Sequence, residues 1–259
     1  MPPTSVAVVA GQEINVRNFD DLQRAVMDRV NQKAGFTLAT LNLDHLVKQR
    51  RDKAFLAAYR RMTFVTADGM PIVMLGRKTE PALERVAGAD IVLPLCAAAE
   101  RAGAGIFLFG SDNDTLGCAA QRLQAMFPKL IISGTEAPPQ GFDYASQAAL
   151  ESAGRIAASG ARLCFVCLGA PKQEMFSDRM AAIYPGVGFL CVGAALDFVA
   201  DTQTRAPPVM QRLGLEWSWR LISHPRRMAW RYALCAALFL QLLLGQRLTG
   251  WPVFPEHDA

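Results

Sequence analysis

The side chains best suited to chemistry stand at the ends of apolar runs. Asp68 follows the run Met62–Thr66 and precedes Gly69. A carboxylate at a strand end can act as a general base, although Asp-Gly is also a favoured turn pair, so either role fits. Thr40 and Asn42 are alternate residues, so on an extended chain their side chains point the same way, as sugar hydroxyls or a phosphate would require. A turn explains them equally well. In Leu168–Glu174, LGAPKQE, Gly169 ends an apolar run and Pro171 suits the first turn of a helix. Lys172 and Gln173 then stand where they could donate to an anion or a sugar, unless they are an ordinary solvated first turn. Gly110 and Ser111 lie between a strand-like run and a helix, whose free N–H groups could receive a diphosphate. Asp112-Asn113-Asp114 spells a D-x-D metal motif, but capping of that helix explains it better, because three residues match by chance often. Asp197 is a further polar candidate, with binding and structural roles in balance.

Several chemistries lack their signatures. There is no G-x-x-x-x-G-K-[ST], and Gly103-Ala104-Gly105 precedes a strand, the wrong side for a dinucleotide fingerprint. A nicotinamide oxidoreductase on a Rossmann-like sheet is therefore the weaker alternative. Cys164 and Cys167 form a C-x-x-C inside the apolar run Leu163–Leu168. Residues three apart on a strand face opposite sides, so this pair reads as core packing rather than a redox or zinc site. His45, His224 and His257 are far apart in sequence, and no metal site or cofactor is expected.

Those positions must be held by a fold. The chain has 259 residues, of which 51% are hydrophobic and 19% charged, which suits one sizeable core with an appendage rather than disorder. Strand-like runs at Phe36–Leu41, Met62–Thr66, Gly105–Phe109, Leu130–Ser133, Leu163–Leu168 and Gly188–Val192 alternate with helical stretches near Asp20–Asn31, Asp44–Arg61, Thr115–Phe127, Ala145–Ala158 and Gln173–Ile183. This alternation predicts an α/β fold, a Rossmann-like and mostly parallel sheet flanked by helices. Ligands of such sheets bind beyond the carboxyl ends of the strands, where the candidates above fall.

The last quarter differs. From Gln203 onward there are seven arginines, no lysine and three acids, which accounts for the whole net charge of +4. The reading is a catalytic core over residues 1–203 and an Arg/Trp-rich helical appendage over 204–259. Tyr232–Leu244 is almost wholly apolar, yet as a helix it reaches about 20 Å, short of a hydrocarbon core of about 30 Å. Trp217, Trp219, Trp230 and the nearby arginines fit a helix lying on an anionic lipid surface. A C-terminal helix packed on the body or on a second copy, in a homo-oligomer, is the other reading. The N-terminus, with no basic region and an apolar run of only Val6–Ala10, does not read as a signal peptide, so a cytoplasmic location is expected. Nothing points to nucleic acid.

Taken in order, TLNLDH (40–45), ADGMPIV (67–73), ERVAGADIV (84–92), IFLFGS (106–111), LGAPKQE (168–174), VGAALDFVA (192–200) and the arginine-rich series from 205 to 232 resemble the WecG/TagA/CpsF glycosyltransferases, glycosyltransferase family 26. The resemblance implies inverting, metal-independent transfer of a hexose or N-acetylhexosamine-type sugar. The donor is a UDP-sugar and the acceptor a polyprenyl-diphosphate-linked saccharide, in exopolysaccharide or other cell-surface polysaccharide synthesis. It assigns Asp68 as the base and Thr40, Asn42 and Gln173 as substrate-positioning residues. Tail arginines, with Arg205, Arg220 and Arg227 selected, would neutralise the diphosphate. The appendage would dock on the inner face of the cell membrane. A catalytically dead nucleotide-sugar-binding protein at the membrane is the remaining alternative. Asp201 stands where a glycine is common, and His224 where an acid is common.

Overall fold

The computed structural model describes residues 4–207, 209–210, 216–223 and 225–245, without the side chains of Arg220, Ser223 and Arg227. His224 lies outside the described residues. The chain opens with an antiparallel hairpin, β1 (Ala7–Val9) and β2 (Gln12–Ile14), followed by α1 (Phe19–Asn31). Asn18 caps α1 by accepting the Asp21 N–H at 2.9 Å, and Leu22, Val26 and Val30 form its buried stripe.

Six further strands make one sheet. They are β3 (Phe36–Leu41), β4 (Phe64–Ala67), β5 (Ile106–Gly110), β6 (Ile132–Glu136), β7 (Leu163–Cys167) and β8 (Gly188–Cys191). Their order is β4-β3-β8-β7-β5-β6, and every pairing is parallel. This bears out the α/β sheet read from the alternation. β3, β5, β7 and β8 are buried along their whole length, as expected when helices cover both faces. Cys164 packs with Phe107 and Phe176 in one core cluster and Cys167 with Leu108 and Leu196 in another, so the C-x-x-C pair does straddle the sheet.

Several elements depart from the expected pattern. The stretch Asp44–Arg61 is two helices, α2 (Leu43–Arg51) and α3 (Lys53–Arg61). Asp52 takes extended angles between them, and its Oδ1 accepts the N–H groups of Ala54 and Phe55 at 2.8 and 2.9 Å. That local hydrogen bonding ends one helix and starts the next. The strand expected at Leu130–Ser133 is shifted to β6, an edge strand of sequence ISGTE that carries no clear apolar pattern. Beyond β4, α4 (Met70–Gly76) and α5 (Gly88–Ala102) were not foreseen; neither has a side-chain N-cap, and α5 carries Pro94 in its interior.

The remaining helices of the core are α6 (Asn113–Met126), α7 (Gln147–Ala158), α8 (Lys172–Ile183) and α9 (Ala195–Ala200). Asp201 ends α9 with φ 64°, the left-handed conformation in which glycine is the usual cap and aspartate is tolerated. Its carboxylate receives Arg122 at 3.2 Å.

The described residues of the tail include α10 (Glu216–Ser223) and α11 (Pro225–Leu243). α11 is longer than the apolar run alone implied, because Pro225 starts it and its arginine-bearing first turns are continuous with the apolar half. At 19 residues it reaches about 28 Å. Among the described residues no helix is long and apolar enough to cross a membrane. α11 lies along α2, and its Cys235 and Leu238 join the core cluster that contains Leu46, Tyr59 and Ile72.

Candidate active site

A cleft of about 370 Å³ opens between the ends of β3 and β4 and the tail helices. Asn42, Leu43 and Asp44 form its β3 side, Asp68–Pro71 its β4 side, and Arg85 its rim. Glu216 and Trp217 from α10, with Arg231, Tyr232, Cys235, Ala236 and Phe239 from α11, close the opposite wall. The α11 contributors recur at the spacing of one helix face. The Asp68 N–H donates to Leu41 O at 2.7 Å, which ties the two strand ends together and brings Asn42 and Asp68 to the same cleft. Gly69 has φ 86°, so the turn that places Asp68 needs glycine. The Asp-Gly pair thus makes a turn and presents a carboxylate; the two readings of Asp68 coexist.

Beneath the cleft lies a buried polar layer. Asn42 caps α2, its Oδ1 accepting the His45 N–H at 3.0 Å, so its Nδ2 faces His45 Nε2 at 3.4 Å. An amide nitrogen can only donate, so Nε2 is the acceptor and the imidazole proton sits on Nδ1. Nδ1 then donates to Tyr59 Oη at 2.8 Å. Burial holds the His45 pKa down at about 3, so the ring is neutral at physiological pH. Asn42 therefore reaches the cleft with its amide orientation set from below.

Asp44 is the anchor of the α11 wall. Its two oxygens lie 2.9 Å from Arg231 Nε and 2.8 Å from Lys48 Nζ. The Arg231 contact lacks hydrogen-bond geometry, so charge rather than a directed bond holds it. Burial would raise the Asp44 carboxyl, but Arg231 and Lys48 outweigh it and keep it below the usual carboxylate range. Lys48 also donates to Ala170 O at 2.9 Å, which joins α2 to the LGAPKQE segment. Arg50 Nη1 donates to Gln241 Oε1 at 3.1 Å further along α11.

Of the expected residues, Asn42 and Asp68 share the cleft. Thr40 is buried, in register with Thr66. Gln173 is 2% exposed and lies outside the cleft lining. Its Oε1 accepts the Gly193 N–H at 3.1 Å and its Nε2 donates to Glu174 Oε1 at 2.7 Å. Glu174 is fully buried, its Oε2 has no hydrogen-bond partner among the described residues, and burial pushes its pKa up to about 7. Gly169, Pro171 and Lys172 lead into α8, with Lys172 exposed. Gly110 and Ser111 form a second patch with Asp197. Ser111 Oγ donates to Asp197 Oδ1 at 2.8 Å, and Gln203 Nε2 to Oδ2 at 2.9 Å. Gly110 has φ 109°, and a Cβ there would collide with the backbone of Cys167. Asp112 is the cap of α6, accepting from Thr115 N–H and Oγ1–H at 2.8 and 2.9 Å, so the D-x-D spelling has its structural explanation.

Among the tail arginines selected from sequence, Arg205 is held by Asp90 and Glu216 rather than lining the cleft. The side chains of Arg220 and Arg227 lie outside what the structure describes. The cleft cations the sequence reading missed are Arg85 and Arg231. Arg85 sits within the quoted ERVAGADIV segment, and Arg231 shares a helix face with Tyr232, Cys235 and Phe239; that helical spacing was the available signal. The geometry offers the carboxylates of Asp44, Asp68 and Glu216, the Asn42 amide, two guanidinium groups and the aromatic rings of Trp217, Tyr232 and Phe239 around one cavity. Such a set can take a proton, hold an anion and face the apolar side of a sugar ring.

Comparisons with known proteins show which family the chain resembles. The sequence model described as the Glycosyl transferase WecG/TagA/CpsF family matches residues 7–252. A protein of Bacillus subtilis (strain 168) named N-acetylglucosaminyldiphosphoundecaprenol N-acetyl-beta-D-mannosaminyltransferase is 27% identical over 230 residues, which cover 88% of this chain and 87% of that protein.

Proposed function

The chain belongs to the WecG/TagA/CpsF family of glycosyl transferases, and from that premise we propose that it transfers a hexose or N-acetylhexosamine-type sugar from a UDP-sugar to a polyprenyl-diphosphate-linked saccharide, inverting the anomeric centre without a metal. The observation that carries the reading is the cleft in which Asp68 stands among Asn42, Arg85 and Arg231. Asp68 takes the proton of the acceptor hydroxyl as its oxygen attacks the anomeric carbon. The bond from that carbon to the diphosphate oxygen breaks, and UDP leaves with the electron pair. Arg85 and Arg231 offset the charge that develops on the leaving diphosphate. Asn42 orients the sugar, and Thr40 and Gln173 support the site from the layer below.

The acceptor class rests on the name of the Bacillus relative, whose substrate is a diphosphoundecaprenol-linked sugar. A lipid-linked acceptor would bring the enzyme to the cell membrane, and the inner face is the side expected for it. Trp217, Ile222, Trp230, Leu240, Leu243 and Leu244 expose apolar surface on or beside the tail helices, which supports contact with lipid there. The same surface suits self-association when no membrane is present.

The test is a panel of labelled UDP-sugars incubated with lipid-linked acceptors, with and without EDTA, followed by extraction of the lipid. Label in the lipid fraction that survives EDTA is the expected result. UDP-sugar binding without transfer to any acceptor would leave a dead binding protein, and binding of a nicotinamide cofactor without UDP binding would revive the oxidoreductase reading.

A further inference from the structure

Four charged side chains of alternating sign form one chain at the rim of the cleft. Arg85 Nη2 lies 2.8 Å from Asp90 Oδ2. The other oxygen of Asp90 is in direct contact with Arg205 Nη2. Arg205 Nε reaches Glu216 Oε1 at 3.3 Å. The first two residues belong to the core, at and just before the start of α5; the last two belong to the tail, with Glu216 opening α10. The ends of the chain, Arg85 and Glu216, line the cleft, and the middle pair does not. All four side chains are between 21% and 30% exposed, so their contacts are neither fully screened nor fully desolvated.

An arginine beside an anion site binds well only if its fork is held in place, because a free guanidinium loses rotamer entropy on binding. Asp90 supplies that hold. Its two oxygens serve two different guanidinium groups, so the position of Arg85 is mechanically shared with Arg205. Arg205 in turn is gripped by Glu216, which moves with α10. We infer that Asp90 is a positioning residue that aims Arg85 at the diphosphate of the sugar donor and, through Arg205 and Glu216, makes that aim depend on the tail being docked. The inference rests on the donor reading above and extends it to a residue outside the cleft.

The sign of one substitution separates this role from a bland one. Asp90 is a negative charge near an anion site. If it only added negative potential, Asp90→Asn would tighten binding of UDP. If it positions Arg85, Asp90→Asn weakens binding despite the gain of positive charge. The experiment is calorimetric titration of UDP into the full chain at fixed ionic strength, for wild type, Asp90→Asn, Arg205→Ala and the double variant, with thermal unfolding to confirm that each folds. Arg205→Lys, which keeps the charge but loses the two-sided fork, stands in where Arg205→Ala fails to fold. The expected result is UDP binding weakened by about fivefold or more in each single variant. The double variant should be no weaker than the worse single, because both act through one chain of contacts. Unchanged or tighter binding in Asp90→Asn, or effects that multiply in the double variant, would overturn the inference while leaving the donor reading intact. No UDP binding by the wild type would overturn the donor reading and this inference with it.

Discussion

Leu238 offers a measurement of how firmly the tail wall is built. It lies on α11, has no exposed surface, and packs in the cluster with Leu46, Tyr59 and Ile72. Leu240, two residues on, is 58% exposed. The same Leu→Ala change therefore probes docking at one position and only helix propensity at the other. Truncating a fully buried leucine removes its transfer free energy and leaves a cavity, together about 2–5 kcal/mol. α11 is the last helix among the described residues and packs on α2 from outside the sheet, so that loss is expected to fall first on local opening rather than on the whole fold. At about 1.4 kcal/mol per factor of ten, amide protection over residues 225–245 should fall by roughly 30-fold to roughly 4,000-fold in Leu238→Ala. Leu240→Ala should change protection by less than about threefold, as surface substitutions do. The assay is hydrogen exchange read by mass spectrometry on peptides from α11, β3 and β7, alongside sugar transfer by each variant. Transfer should fall with α11 protection, because Arg231, Tyr232 and Phe239 leave the cleft together. Equal protection in the two variants, or a loss spread evenly over β3 and β7, would refute the idea that α11 docks as a separable wall.

Three other outcomes are expected. Asp68→Asn should lower the transfer rate by about 100-fold or more with UDP binding retained, as loss of a general base does; undiminished transfer would remove Asp68 from that role. Glu174 has a folded pKa of about 7, above its ordinary value of 4.5. The folded state then holds this proton where the unfolded state has released it, so the stability of the wild type should decline between about pH 4.5 and 7 relative to Glu174→Gln. Denaturant unfolding of both proteins across that range checks it, and parallel curves would show that Glu174 is not the group responsible. Deleting the chain from Thr204 onward should release the protein from vesicles containing phosphatidylglycerol in a flotation assay; retention of the truncated form would sink lipid docking by the tail.

The fold was largely legible because its strands are buried on both faces and read as unbroken apolar runs. β3, β5 and β7 fall within a residue or two of where those runs predict them. β6 was misplaced because an edge strand of Ser, Gly and Thr carries no such run. The break at Asp52 was hidden because the pattern of apolar residues continues across it; only the carboxylate's capping bonds separate the two helices. Within the site, Asn42 and Asp68 were readable because each ends a strand, and the strand-end rule selects such positions directly. Arg85 was harder, because it precedes a helix with no side-chain cap and follows no strand. Asp44 and His45 were harder still. They sit in the first turn of α2, where a sequence shows a charge and a ring but not the arginine that crosses from α11 to meet them.

That crossing bears on how the site works. Core and tail each hold an incomplete set of charges. The core brings Asp44 and Asp90 to the cleft region, both acidic, with Lys48 and Arg85 alongside. The tail brings Arg205 and Arg231, and each ends on one of those two carboxylates. Arg231 arrives with the helix that covers Asp44 and offsets the cost of covering it; a docked tail lacking Arg231 would leave the carboxylate buried and short of a partner. The pairs therefore favour the docked tail, and the docked tail is what turns an open strand end into a walled cleft. Arg231 stands at both places at once, paired with Asp44 and lining the cavity. An anionic substrate that drew on Arg231 would compete with Asp44 for the same guanidinium. Substrate occupancy and tail docking are then coupled through one side chain, and the coupling is reciprocal: what loosens α11 must weaken the anion, and what binds the anion must alter the hold on α11.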